Sequence, residues 1–399
     1  MSGQNGLKIE QTMSRQIDWM KEAEACAGEI IALREEIHRH PELGNKEFKT
    51  SALVTERLAD WRLEVKHYLD TAVVGILRGT EPGPVIALRA DMDALPVREE
   101  TGCAFASENE GCMHACGHDV HTAAALGAAR ILASRKQGLK GEIRFIFQPD
   151  EEGDGGAQRL IEAGALQGVE AVFGAHVSPD LAAGQVGIRY GKFYAASDVF
   201  YVTVHGKGSH GAEPQKGIDA LGAAAEMVCR LRAIPAEFAP ERCILSVGQL
   251  QSGTAVNVIA DEAVFCGIIR TLGADSRKRM KERFRVTIGE VAEAYGATAE
   301  IRIRESYPGV VNTDTLSAYT EDVARQVFGS SAVERIEEPT MTTEDFGYYA
   351  DACTGCFYHI GVGGEWALHN SHFLPDSGAP VRAAALHAAL LWKYSEYSE

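Results

Sequence analysis

The chain has 399 residues, 45% hydrophobic and 24% charged, so it reads as a globular protein of two or three folding units, neither disordered nor fibrous. Asp and Glu number 56 against 39 Lys and Arg, a formal charge of −17 that repels phosphate backbones and anionic lipid and argues against nucleic acid or a membrane as partner. Nine irregularly spaced cysteines form no disulfide framework and no window suits a signal peptide or a membrane span, so the expected compartment is reducing and cytoplasmic.

From the N-terminus, a polar helical stretch is expected over about Met13 to His40. Three apolar runs then read as buried strands ending in polar residues: Val85–Ala90 before Asp91, Ile143–Phe147 before Asp150-Glu151-Glu152, and Ala171–Ala175 before His176. Ala-rich helices are expected between them at Thr122–Ser134 and Ala157–Ala163. Strands alternating with helices predict an α/β fold, a mixed sheet covered by helices, with ligands gathering beyond the carboxyl ends of the strands. From about Gly191 the texture changes. Strand Val199–Val204, a Gly-rich loop, helix Ile218–Arg232, strands Cys243–Leu250 and Ala263–Thr271, helix Ser276–Tyr295 and strand Thr298–Arg304 follow one another. This β-α-β-β-α-β order is the ferredoxin-like pattern, and predicts an inserted α+β domain over residues 191–304 within a domain made of residues 1–190 and 305–399. The basic cluster Arg277-Lys278-Arg279, Lys281, Arg283 and Arg285 reads as a solvated helix face, and a last helix is expected over Val381–Tyr394.

Chemistry concentrates at the strand ends. Met113-His114-Ala115-Cys116-Gly117-His118-Asp119-Val120-His121 gathers thiol, imidazole and carboxylate at the start of a helix, a donor set suited to zinc or a neighbouring transition metal. For any one of these histidines a capping or hydrogen-bonding role is the plainer reading; the cluster as a whole favours metal. Asp150-Glu151-Glu152-Gly153 is either an acidic turn or a divided pair, in which one carboxylate binds a cation and the other moves a proton. His176 and the run Leu368-His369-Asn370-Ser371-His372-Phe373 raise the donors to enough for two metals. Cys353-Thr-Gly-Cys356 has the spacing of a redox or zinc pair, but it lies among aromatic residues with no second pair.

These motifs resemble the co-catalytic metallopeptidases that include aminoacylase and carboxypeptidase G-type enzymes, and most of all their amidohydrolase branch of hippurate hydrolases, N-acyl-amino-acid amidohydrolases and auxin-conjugate hydrolases. The resemblance is carried by Arg89-Ala-Asp-Met-Asp-Ala-Leu-Pro96, Met113-His-Ala-Cys-Gly-His-Asp-Val-His-Thr122, Phe147-Gln-Pro-Asp-Glu-Glu152, Gly206-Lys-Gly-Ser-His-Gly-Ala212 and Gly253-Thr-Ala-Val-Asn-Val-Ile259. They occur in family order and span about residues 30–395. The resemblance implies two divalent ions per chain, zinc, manganese, cobalt or nickel, held by Cys116, His118, Glu152, His176 and His369, with Glu151 as general base. Where the wider family has His-x-Asp this chain has Asp91-Met92-Asp93, so Cys116 and His118 take the ligand role and Asp93 orients them from behind. His372 competes with His369 for the last ligand position.

From the inserted domain, read as a lid or dimerisation unit, the resemblance implies His210 as oxyanion donor and Asn257 as a further substrate contact. Arg270 matches a branch arginine that can pair bidentately with a substrate carboxylate. The C-terminal motif departs from the branch: Phe373-Leu-Pro-Asp376-Ser377 replaces Phe-Asp-Glu, and Asn370-Ser371 replaces Ser-Pro after the last ligand. The implied activity is hydrolysis of N-acyl amino acids by a homodimer. An aminopeptidase, dipeptidase or carboxypeptidase would use the same site. A non-catalytic metal-binding module and a cysteine hydrolase using Cys116 are the readings from other classes.

Overall fold

The computed structural model describes residues 17–396. In chain order the strands that matter for the site are β1 (Glu64–Tyr68), β2 (Ala72–Arg78), β3 (Glu81–Asp91), β4 (Lys140–Gln148), β5 (Ala171–Ser178), β6 (Val186–Ile188), β7 (Ala196–His205), β8 (Ile244–Ser252), β9 (Glu262–Thr271), β10 (Thr298–Glu305), β11 (Val333–Arg335) and β12 (Thr354–Gly361). The helices are α1 (Ala27–Arg39), α2 (His118–Ala133), α3 (Ala157–Glu162), α4 (Ala220–Leu231), α5 (Ala274–Tyr295) and α6 (Ala379–Ser395).

An eight-stranded mixed sheet runs in the order β1-β2-β4-β3-β5-β12-β6-β11. Its centre, β4-β3-β5-β12, is parallel. All eight residues of β5 are buried, as expected of a parallel strand covered on both faces, where the apolar run is continuous rather than alternating. One face packs on α1, α2 and α6 through residues such as Leu88, Phe145, Phe173 and Leu386; the other packs on α3 and the Phe346–Ala352 helix through Val172, Ile146, Leu160 and Phe357. Each fully buried Phe or Leu there contributes roughly 1.5–3 kcal/mol. Parallel pairing aligns Asp91 with Gln148 and His176 with His359, so the polar strand ends meet at one edge of the sheet.

Residues 196–305 form a second, four-stranded antiparallel sheet in the order β8-β9-β7-β10. Helices α4 and α5 cover one face of it, around Phe200, Phe265, Met227, Phe284 and Ile288. All nine cysteines are free thiols. No helix among the described residues is long and apolar enough to cross a membrane.

Two local expectations need correction. The helix expected from Met13 begins outside the described residues, and its remainder is broken at Cys26 (φ −117°, ψ 16°) into Trp19–Ala25 and α1. The basic cluster on α5 is not a uniformly solvated face. Arg277 is mostly buried and ion-pairs with fully buried Asp198 at 2.9 Å, and Lys281 pairs with Glu305, while Met280 and Phe284 point into the core.

Candidate active site

Helix α2 begins on His118, and the residue before it, Gly117, has φ 82°. A Cβ at Gly117 would fall 2.5 Å from Val177 Cγ2, so glycine is what allows Cys116 and His118 to lie against β5. His118 Nδ1 donates to Asp93 O at 2.8 Å, which turns Nε2 inward. His176 Nδ1 donates to Val177 O at 2.7 Å, and its Nε2 lies 3.4 Å from Cys116 Sγ. His369 adopts φ 66° with its N–H donating to Ala115 O at 2.8 Å, and its Nε2 sits 3.3 Å from Cys116 Sγ and 3.1 Å from Glu152 Oε1. The Asp93 carboxylate accepts the N–H groups of Glu151 and Glu152, each at 3.0 Å. Asp93 therefore orients three of these residues at once.

The structure thus brings Cys116, His118, His176, Glu152, His369 and Glu151 into one cluster. Ligand atoms lie within 4.8 Å of one another in each of the overlapping sets Cys116-His118-His176, Cys116-Glu152-His369 and His118-Glu151-Glu152. Two observations fit metal ions. His118 Nε2 is buried without a hydrogen-bond partner, a costly state that a cation relieves. Burial and the charges of Glu152 and Glu151 push the Cys116 thiol well above its ordinary range, so a nearby cation is what would hold it as thiolate. The same shift makes Cys116 a poor free-standing nucleophile.

Three further histidines lie outside these three sets, although the His121 ring packs beside His118 and His176 and forms another set with Asp91 and His118. His121 Nδ1 bonds Asp91 Oδ1 at 2.6 Å and its Nε2 accepts Val177 N–H at 2.9 Å, so both nitrogens are occupied. His114 is fully buried, and burial lowers it to about 3, leaving the ring neutral. His372 stacks on Trp366 at 4.9 Å and bonds Ser371 Oγ at 3.0 Å.

A buried charge network behind the turn carries residues outside the sequence motifs. Arg89 is completely buried and bonds Asp91 and Asp345 at 2.6 Å, Gln148 at 2.9 Å and Glu344 at 3.0 Å. Burial raises the Glu344 carboxyl to about 8 against the lowering effect of Arg89. Glu151 is pushed well above the carboxylate range by burial and then by the charges of Glu344 and Glu152. Neither Glu344 nor Asp345 stands out in the sequence, because they lie in none of the motifs above and some 190 residues beyond Glu151.

His210 and Asn257 are exposed neighbours in the second sheet's loops: Ser209–His210 pairs with Val258–Ile259, and Gly211 N–H donates to Asn257 O at 2.7 Å. Among the hydrogen bonds and ion pairs of the described residues, none joins either side chain to the cluster. Arg270 is in register with Ile244 and Ser197; its Nη1 is buried without a partner, and no carboxylate among the described residues pairs with it.

The sequence pattern of Peptidase family M20/M25/M40 matches residues 87–392. The chain belongs to this family. As a family member it is 37% identical over 361 residues to the N-acetyl-L-cysteine deacetylase of Bacillus subtilis, covering 89% of this chain and 86% of the relative. It is 40% identical over 378 residues to thermostable carboxypeptidase 1 of Saccharolobus solfataricus, covering 92% and 95%. Among solved structures it superposes on the YXEP protein of Bacillus subtilis, described as a dinuclear metal binding peptidase of the family, with a TM-score of 0.85, 34% identity and coverage of 94% and 99%.

Proposed function

We propose that this family member is a metal-dependent amidohydrolase that cleaves the amide of N-acyl amino acids, releasing a carboxylate and a free amino acid. The observation that carries this is the cluster of five donors with a buried carboxylate, Glu151, beside it and a partnerless arginine, Arg270, on the second sheet. Relatives named as deacetylases of N-acyl amino acids support the substrate class. Cys116, His118, Glu152, His176 and His369 would hold two divalent ions per chain, with zinc, manganese, cobalt and nickel all compatible with the donors. When bound, the ions supply acidification of water and polarisation of the scissile carbonyl.

The protein's own groups do the rest. Glu151, with its main chain fixed by Asp93, takes a proton from water and delivers it to the leaving nitrogen. Arg270 holds the substrate carboxylate, a local answer to an overall charge of −17. His210 stabilises the oxyanion and Asn257 contacts the substrate. Because both are exposed beside the second sheet, the active form is a homodimer in which each inserted domain, residues 191–304, serves as lid and dimerisation unit for its neighbour. Nine free thiols suit a reducing, cytoplasmic compartment, and the overall charge of −17 suits small-molecule substrates rather than nucleic acid or membrane. Carboxypeptidase action at the same site is the second reading, favoured by the Saccharolobus relative.

The deciding experiment is a hydrolysis screen of N-acetyl, N-benzoyl and N-aminobenzoyl amino acids against dipeptides, with manganese, zinc and cobalt each resupplied after chelation. Metal-dependent hydrolysis of the N-acyl compounds is expected, with about two ions per chain. One tightly held ion and no turnover would point to a structural metal protein.

A further inference from the structure

Tyr307 lies outside every motif above, yet it touches the turn that carries Glu151. Its segment leaves β10 and pairs with the segment entering β7: Ser197 N–H donates to Tyr307 O at 2.9 Å, and Ser306 N–H donates to Ser197 O at 3.0 Å. The Tyr307 side chain is buried, and its hydroxyl lies within donating distance of two main-chain oxygens, Glu151 O at 2.6 Å and Gly153 O at 3.0 Å. At Gly155 (φ 88°) a Cβ would fall 2.8 Å from Tyr307 Cε1, so ring and turn are in contact. Burial and the charges of Asp345, Glu151 and Glu344 raise the hydroxyl far above its ordinary range, which keeps the proton it donates.

The joint itself is built from the second sheet. Arg277 of α5 grips the Asp198 carboxylate through Nε and Nη2, both at 2.9 Å, and donates to Ser197 O at 2.9 Å and Ser306 O at 3.2 Å. On its other side Ser197 is in register with Arg270 of β9. A short path therefore runs from Arg270 through Ser197 and Tyr307 to Glu151.

We propose that Tyr307 is a positioning residue: its hydroxyl lets the joint between the two sheets set the main chain of the Glu151 turn in register with Arg270. The proposal rests on the reading of Glu151 as general base. The turn needs such holding because Asp150 has φ 59°, a strained conformation for a non-glycine residue that persists only where its surroundings over-determine it. Asp93 holds the turn by the N–H groups of Glu151 and Glu152, Asn45 and Arg159 hold the Asp150 carboxylate, and Tyr307 holds the carbonyl side.

The test compares the two-metal enzyme with its Tyr307→Phe and Tyr348→Phe variants; the Tyr348 hydroxyl reaches Ser306 O at 3.4 Å on the same joint. In Tyr307→Phe, kcat on an N-acyl amino acid should fall roughly ten- to a hundred-fold with KM and metal content unchanged. Amide exchange at Gly155, whose N–H bonds Asp150 O at 3.1 Å, should accelerate. Tyr348→Phe should alter neither. Unchanged exchange and unchanged kcat in Tyr307→Phe would overturn the proposal, as would a loss of kcat that follows loss of metal. A wild-type chain that hydrolyses nothing in the panel would instead remove Glu151's assigned role, while exchange at the turn still decides whether Tyr307 holds it.

Discussion

Cys116 is the residue at which the competing chemistries part. Its sulfur lies between His176 Nε2 at 3.4 Å and His369 Nε2 at 3.3 Å, so its loss removes a donor from two overlapping ligand sets at once. Cys116→Ala is therefore expected to lose bound metal together with turnover, measured by elemental analysis of the purified protein. A cysteine hydrolase would lose turnover and keep its metal. Glu151→Gln is the complement: metal content should stay near wild type while kcat collapses, because the variant keeps its Asp93-anchored main chain and loses only the ionisable group. Retained turnover would remove Glu151 as the base. The clusters were visible in the sequence where they are local, as in Cys116-Gly-His118 and Glu151-Glu152, but spacing left capping and acidic-turn readings open, and the resemblance supplied the ligand and base roles. Local density also misled. His114 and His121 share the same stretch, but β5 and Asp91, distant in the chain, take the nitrogens of His121, and His114 belongs to none of the three ligand sets named above.

At the scale of elements, the first turn of α2 is held from behind by α1. Arg34 Nε and His38 Nδ1 of α1 meet one oxygen of Asp119 at 2.7 and 2.9 Å, and His38 Nε2 reaches Glu99 at 3.2 Å. Burial alone would lower the His38 pKa, but the Asp119 charge and the hydrogen bonds to Asp119 and Glu99 outweigh it and raise the imidazole to about 9. A folded value above the unfolded one gives stability that is fully present below about 6.5 and lost as pH rises through about 9. That rise corresponds to on the order of 3 kcal/mol. Denaturant unfolding at stepped pH should show stability declining over this window, and His38→Gln should flatten the decline; an equal slope in both proteins would dismiss the network as a source. The sheet's strands were visible in the sequence because β3, β4 and β5 bury both faces and leave continuous apolar runs. The break at Cys26 was not, since the periodicity continues across it and only its backbone geometry and its thiol, 3.4 Å from Ala23 O, mark the interruption.

At the scale of the molecule, the roles proposed for His210 and Asn257 require these exposed residues to reach a cluster held by the other sheet. Val256 and Val258, on either side of Asn257, are both exposed, so the loop offers apolar surface for a neighbouring subunit to bury. In a symmetric pair the loop of one subunit can lie over the cluster of the other, and every site then draws its base and its oxyanion donor from different chains. This arrangement makes a quantitative prediction. Glu151→Ala and His210→Ala should each be nearly inactive, but unfolding, mixing and refolding them together should restore activity. With random pairing, half of the dimers are mixed and one of the two sites in each is complete, so about a quarter of wild-type turnover should return. Sedimentation of the mixture checks that dimers have formed. If His210 instead serves the cluster of its own chain, each mixed dimer contains only defective sites, and the mixture stays as inactive as its parents.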